Sequence, residues 1–316
     1  MAAKPWLLTI TAFDGVSLSS TYRLNRIVYP FLAWIFAGGR TSLISWSLVI
    51  VNSLALLVLA QCGISQALRA GKSPWLGLSL LLVPGLVGAY SRDLSEILSV
   101  VFLLLAILVA RNERWFLTGV LLSLGVLTRE SLLIPIFAFG IVHLIACWRE
   151  RNFFGARHLV WLLPAVSVIS WQLILCRSLN TFPLFSAGNK NLGVPIVGLF
   201  SSMNGWFRIH TIHHLGEVAI IVLQLVAFVA LIYVAWRARN KQRTAEVAVF
   251  AASVMMVICE TRQGWKWPFD LRYGVDSMVI GWLFILESNS NRAIRMGLFY
   301  VVPAVFATTL LRIFVI

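Results

Sequence analysis

Apolar side chains fall in ten stretches along this chain, near residues 41–67, 75–91, 94–110, 115–128, 131–148, 159–177, 212–236, 245–261, 275–288 and 296–314. Ionised groups gather at their ends. Most stretches run about 16 to 25 residues, enough for a helix to cross a hydrocarbon layer of roughly 30 Å. None alternates apolar and polar positions with a period of two, so helices, which satisfy their own backbone in lipid, are the predicted elements. The expected fold class is all-α, a polytopic helical membrane protein with about 10 transmembrane helices.

Residues 1–40 are predicted to form an extracytoplasmic N-terminal segment, and 41–316 the transmembrane helical domain. Within the first, Tyr22-Arg23-Leu24-Asn25-Arg26-Ile27-Val28-Tyr29-Pro30 and the apolar run to Ala37 read as a helix lying in the interface. An outer loop at about 178–211 contains the turn-forming Gly188-Asn189-Lys190-Asn191-Leu192-Gly193-Val194-Pro195. The short pairs 75–91/94–110 and 115–128/131–148 are expected to be helical hairpins, broken at Arg92-Asp93 and at Arg129-Glu130.

Composition agrees with this pattern: 59% of residues are hydrophobic, 12% are charged and the mean hydropathy is +0.87. The net charge of +14 is scattered between spans, which points to anionic lipid headgroups or an anionic lipid-linked substrate and away from nucleic acid. Cys62, Cys147, Cys176 and Cys259 lie far apart in or near apolar stretches and read as core thiols. Compact basic turns at Arg69/Lys72, Arg111/Arg114, Arg149/Arg151/Arg157, Arg237/Arg239/Lys241/Arg243 and Arg292/Arg295 mark the cytoplasmic side. Residues 1–40 then lie outside, and a transmembrane helix is expected to precede them.

The opposite boundaries hold arginine beside carboxylate. In Ser91-Arg92-Asp93-Leu94-Ser95-Glu96, a helical turn puts Arg92, Asp93 and Glu96 on one surface. Asp93 and Glu96 either stabilise a helix start through its dipole, or accept a proton from a substrate hydroxyl or bind a metal. Thr128-Arg129-Glu130-Ser131 interrupts continuous hydrocarbon, where a plain turn would need only Gly, Asn or Ser. Arg23, Arg26, Arg129 and Arg272, with Arg92, offer guanidinium forks that fit phosphate oxygens, snorkelling to headgroups being the alternative for each. His210, His213 and His214 have no carboxylate or cysteine close in sequence, so no metal site is assigned.

Taken in order, Tyr22-Arg23…Arg26-Ile27…Tyr29-Pro30, Ser91-Arg92-Asp93-Leu94-Ser95-Glu96, Leu127-Thr128-Arg129-Glu130 and Asn191-Leu192-Gly193-Val194-Pro195 resemble bacterial polytopic membrane proteins of the GT-C glycosyltransferase superfamily. The resemblance covers most of residues 20–200 and is mainly hydropathy beyond. It implies sugar transfer from a polyprenyl-phosphate-linked donor to a glycan, lipid or protein acceptor at the outer face of the bacterial cytoplasmic membrane. It also implies a carboxylate base in the first outer loop, with arginines near the lipid phosphate. The family's first outer loop carries Asp-Gly followed by aromatics, whereas Asp14-Gly15 precedes Val16-Ser17-Leu18-Ser19, so the base role is not carried to Asp14. Asp93 is the first choice for the catalytic carboxylate, Glu130 the second, with Glu96 beside them. A divalent metal is compatible with the sequence but not required by it. The competing classes are a transporter or flippase of a lipid-linked saccharide, which should show broken helices, and a catalytically inactive membrane subunit.

Overall fold

The structure, a computed structural model, describes residues 24–92, 94–149, 160–179, 182–183, 193–206, 212–260 and 272–315. Among them every regular element is a helix. In chain order these are α1 Val28–Phe36, α2 Ile44–Arg69, α3 Pro74–Leu78, α4 Pro84–Tyr90, α5 Glu96–Ala110 and α6 Trp115–Thr128. They are followed by α7 Leu133–Arg149, α8 Leu162–Leu179, α9 Val197–Trp206, α10 Ile212–Ala238, α11 Thr244–Ile258, α12 Val275–Glu287 and α13 Asn291–Val315. Short 3-10 turns lead into several of them, at Thr41–Leu43 before α2, Glu130–Leu132 before α7 and Arg272–Gly274 before α12.

Two of these helices are long and apolar enough to cross a membrane, Thr41–Arg69 and Glu130–Arg149 with their leading turns included. Others are apolar but shorter. With 15 residues in α5 and 14 in α6, a rise of 1.5 Å per residue gives lengths of roughly 22 and 21 Å.

The apolar stretch 75–91 is not one helix. It divides into α3, a 3-10 turn over Ser79–Leu82, and α4. Pro84 explains the break: a proline disfavours helical backbone at the residue before it, and Val83 is extended at φ −61°, ψ 120°.

The chain forms two compact units, one from Met1–Leu57 and Asp93–Gly188, the other from Val58–Arg92 and Asn189–Ile316. In the first unit the expected hairpin at Arg129-Glu130 is replaced by a different one. α6 packs along α5, joined through the basic turn Arg111-Asn112-Glu113-Arg114, and its next neighbour is α8. Glycine decides this choice of partners. A Cβ at Gly125 would stand 3.2 Å from Leu132 Cδ1 and 3.4 Å from Phe102 Cβ, and one at Gly119 would stand 2.5 Å from Val160 Cγ1. Small residues on α6 therefore leave room for the side chains of its neighbours to come close. The opposite end of this unit carries an aromatic cluster in which Trp161 meets Phe139 edge-on and lies tilted against His143 and Trp115.

The second unit is built round α12, which is buried on every side from Val275 to Leu286. α10 and α13 pack against each other and against α12. The Trp282 indole donates to Ser79 Oγ at 2.8 Å and ties α12 to the broken segment. At the basic end Lys72 Nζ donates to the carbonyls of Leu286, at 2.6 Å, and Ser288. Arg243 there bonds Glu287 and lies 3.8 Å from Glu246.

Candidate functional site

The polar end of the first unit is built where α5 begins, α6 ends and the turn before α1 comes in. α6 closes normally, with Arg129 N–H donating to Gly125 O at 2.9 Å and Thr128 Oγ1 to Leu124 O at 2.7 Å. Arg129 then takes an extended conformation, φ −153° and ψ 113°. That single extended residue ends the helix and places Glu130 in the first turn of the next helical stretch. A carboxylate there is favoured by the exposed N–H groups of the helix start.

Glu130 is 8% exposed and Arg129 2%. Both Glu130 oxygens accept from one guanidinium: Arg26 Nε to Oε2 at 3.1 Å and Arg26 Nη2 to Oε1 at 2.9 Å. The two-point geometry fixes orientation as well as distance. Arg26 is positioned in turn by the residues before it. Leu24 O accepts from Trp171 Nε1 at 2.9 Å, and Asn25 Oδ1 accepts from Gln172 Nε2 at 2.7 Å, so α8 anchors the turn that delivers Arg26. Behind it, Asn52 Nδ2 donates to Tyr29 Oη at 2.7 Å and holds α1 against α2.

Glu96 is the first residue of α5 and is buried, with Oε2 unpaired. The α5–α6 hairpin is antiparallel and Ser99 O lies 3.9 Å from the Cβ position of Gly125. Glu96, one turn earlier, is thus at the Thr128 end of α6.

The structure therefore brings Arg26 and Glu130 into one ion pair and sets Arg129 and Glu96 at the same end of the unit. Glu130 has the Arg26 guanidinium against it, which compensates part of the cost of leaving water. Both oxygens of Glu130 accept from Arg26, and each keeps a second acceptor site. Arg92 is half-buried in a turn of the second unit. Asp93 and Arg23 lie outside the described residues, as do the side chains of Arg272, His210, His213 and His214. Among the described residues no group of three or more His, Cys, Asp and Glu side chains is placed to hold a metal ion.

Several buried polar residues were not singled out by sequence reasoning. Asn25 and Gln172 bond across 147 residues of chain, and Asp276, Gln224, Ser202 and Ser253 are buried in the second unit. For Gln172, Gln224 and Asp276 the sequence signal was a lone amide or acid inside an apolar helix, where burying a polar group is costly without a partner. The second unit also holds an apolar cavity of about 240 Å³ lined by α9, α10 and α11, with Phe228 and Val257 in its walls. Ile196 lies at its rim with φ 68°, a left-handed conformation held by its N–H bond to Ile258 O at 2.8 Å.

A scan against family models, a search of curated proteins and a search of solved structures each returned no match to this chain.

Proposed function

We propose that this chain is a multi-pass protein of the bacterial cytoplasmic membrane, with about ten spans, which transfers a sugar from a polyprenyl-phosphate-linked donor to an acceptor hydroxyl at the outer face. Exposed apolar stripes support the membrane part. On α7 they comprise Ile134, Phe137, Ile141, Leu144 and Trp148, and on α10 Val222, Val226, Val229, Tyr233 and Trp236. A stripe of large apolar side chains at helical spacing is stable when it meets hydrocarbon and costly when it meets water. Helices too short to cross alone do so where the bilayer thins or flanking residues extend.

The observation that carries the transferase part is the Arg26–Glu130 pair. It joins two motifs far apart in sequence at the end of an apolar helix bundle, beside the buried Arg129 and Glu96. In the proposed reaction the acceptor oxygen forms a bond to the sugar's anomeric carbon as that carbon's bond to phosphate oxygen breaks. The acceptor proton passes to a carboxylate, for which Asp93 is the first choice. The departing polyprenyl phosphate gains negative charge, which Arg129 and Arg23 are suited to stabilise. Arg26, which gives two hydrogen bonds to Glu130, positions that carboxylate.

A transporter of a lipid-linked saccharide is the second reading, favoured by the broken segment α3–α4, since discontinuous helices are a transporter device. Purified chain in liposomes, given a radiolabelled polyprenyl-phosphate sugar and a soluble glycan acceptor, separates the two. Label on the acceptor supports transfer. Movement of intact lipid-linked sugar between leaflets without product supports transport and overturns the transferase.

A further inference from the structure

Four buried or half-buried polar atoms at the Arg26–Glu130 end of the first unit have no hydrogen-bond partner: Asn25 Nδ2, Ser95 Oγ, Glu96 Oε2 and Ser131 Oγ. They come from three separate parts of the chain. Asn25 immediately precedes Arg26 and Ser131 immediately follows Glu130, so the ion pair itself draws these two together. Ser95 and Glu96 begin α5, opposite the end of α6 that leads to Arg129. Asn25, Ser95 and Glu96 are each at least nine-tenths buried.

Leaving such groups unpaired costs about 1–3 kcal/mol each, so four together at one end of a helical unit is not a packing accident. Ser95 makes the point most clearly. It occupies the N-cap position of α5, where a serine hydroxyl ordinarily accepts from the first-turn N–H groups, yet it makes no such bond. Its hydroxyl is left available.

The chemistry of the four atoms selects their ligand. The amide nitrogen of Asn25 donates only, the carboxylate oxygen of Glu96 accepts only, and the two hydroxyls do either. Phosphate, which mainly accepts, would meet the negative charge of Glu96. An ammonium group only donates and would leave Asn25 unanswered. The ionised groups described at this end already balance, with Arg26 and Arg129 against Glu96 and Glu130, two positive and two negative. A neutral ligand presenting several hydroxyls supplies both donors and acceptors without adding charge.

We propose that Asn25, Ser95, Glu96 and Ser131 form a subsite that reads the hydroxyl groups of a neutral saccharide. The inference rests on the transferase reading for what the sugar is there to do, but its test is separate. Full-length chain in lipid nanodiscs is mixed with methyl glycosides of gluco, galacto, manno and arabino configuration, and ligand contact is followed by saturation-transfer NMR. At least one glycoside gives saturable binding, in the range of about 1–10 mM that a few hydroxyl contacts provide. Glu96→Gln and Ser131→Ala each weaken it by tenfold or more while the helical circular-dichroism signal is unchanged, Ser131→Ala serving as the milder variant should Glu96→Gln fold poorly. Absence of saturable binding by any glycoside would overturn the proposal and leave ordered water as the partner of these atoms. So would binding undiminished in both variants, or competition by inorganic phosphate. Glycoside binding without sugar transfer would retain the subsite and remove the transferase. Transfer that is indifferent to both variants would do the reverse.

Discussion

Arg26 and Glu130 are 104 residues apart in the chain and meet through two hydrogen bonds, of 2.9 and 3.1 Å, along one edge of the guanidinium. The carboxylate is nearly buried and the guanidinium is 29% exposed. This pair fastens the segment before α1 to the break between α6 and α7, and the rest of the polar end is arranged around it.

Removing either partner should therefore cost more than a surface ion pair would. Arg26→Ala leaves Glu130 charged and largely out of water, and is expected to lower stability by roughly 2–3 kcal/mol, below the figure of about 3–5 for a fully buried pair because Arg26 is partly wet. Glu130→Gln keeps the shape and one acceptor and should cost less. Arg26→Ala combined with Glu130→Leu should recover part of the loss, because no unpaired charge then remains. Melting temperatures of the detergent-solubilised variants check the order; equal losses for Arg26→Ala and the double variant would contradict it.

Gly63 and Gly77 touch backbone to backbone in the second unit. A Cβ on Gly63 would stand 2.3 Å from Gly77 O, and one on Gly77 would stand 2.5 Å from Gly63 O. No rotamer relieves a clash with backbone, so α2 and α3 must move apart. Gly63→Ala and Gly77→Ala are each expected to destabilise by about 1–3 kcal/mol, the range for overpacking, whereas Gly71→Ala meets open space and suffers chiefly from its positive φ of 66°. Thermal unfolding of the three variants is the check.

Burial holds the Lys72 ammonium below the usual lysine value of 10.5, with the charge of Glu287 acting in the opposite direction. The unfolded chain therefore binds more protons than the folded one in the window just under 10.5. The stability linked to this lysine is fully present above that value and is lost as pH falls through the folded-state value. Lys72→Met removes the titration but also strips the Leu286 and Ser288 carbonyls of their donor. The stability difference between wild type and Lys72→Met should thus widen in favour of wild type as pH is raised toward 10.5. A difference independent of pH would contradict the assignment.

The all-helical class was legible because hydrocarbon-length apolar runs without a period of two leave little else for the backbone to do. The break at Arg129-Glu130 was equally visible, since two ionised residues cannot continue an apolar span. Its geometry was not. The packing of α6 against α5 and α8 depends on Gly125 and Gly119, whose spacing carries no hydropathy signal, and on their contacts with Phe102 and with Val160, both distant in sequence. The division of 75–91 was marked by Pro84 but hidden by the uniform apolar character around it. At the site, arginine and carboxylate residues announced themselves through their cost in lipid. The identity of the partners did not, because Arg26 and Glu130 are joined by folding and by the Asn25–Gln172 and Leu24–Trp171 anchors. Asn25 and Ser95, neutral and common, gave no warning that their polar atoms would end up buried.

The most direct test of the functional account is the initial rate of sugar transfer by purified protein in liposomes, compared between wild type, Glu130→Gln and Asp93→Asn at equal amounts of folded protein. If Asp93 accepts the acceptor's proton and Glu130 is held by Arg26 as a positioning residue, Asp93→Asn should lose at least about 10²-fold in rate while Glu130→Gln retains a measurable fraction. Wild-type transfer by Asp93→Asn, or no transfer by the wild-type chain itself, would contradict it.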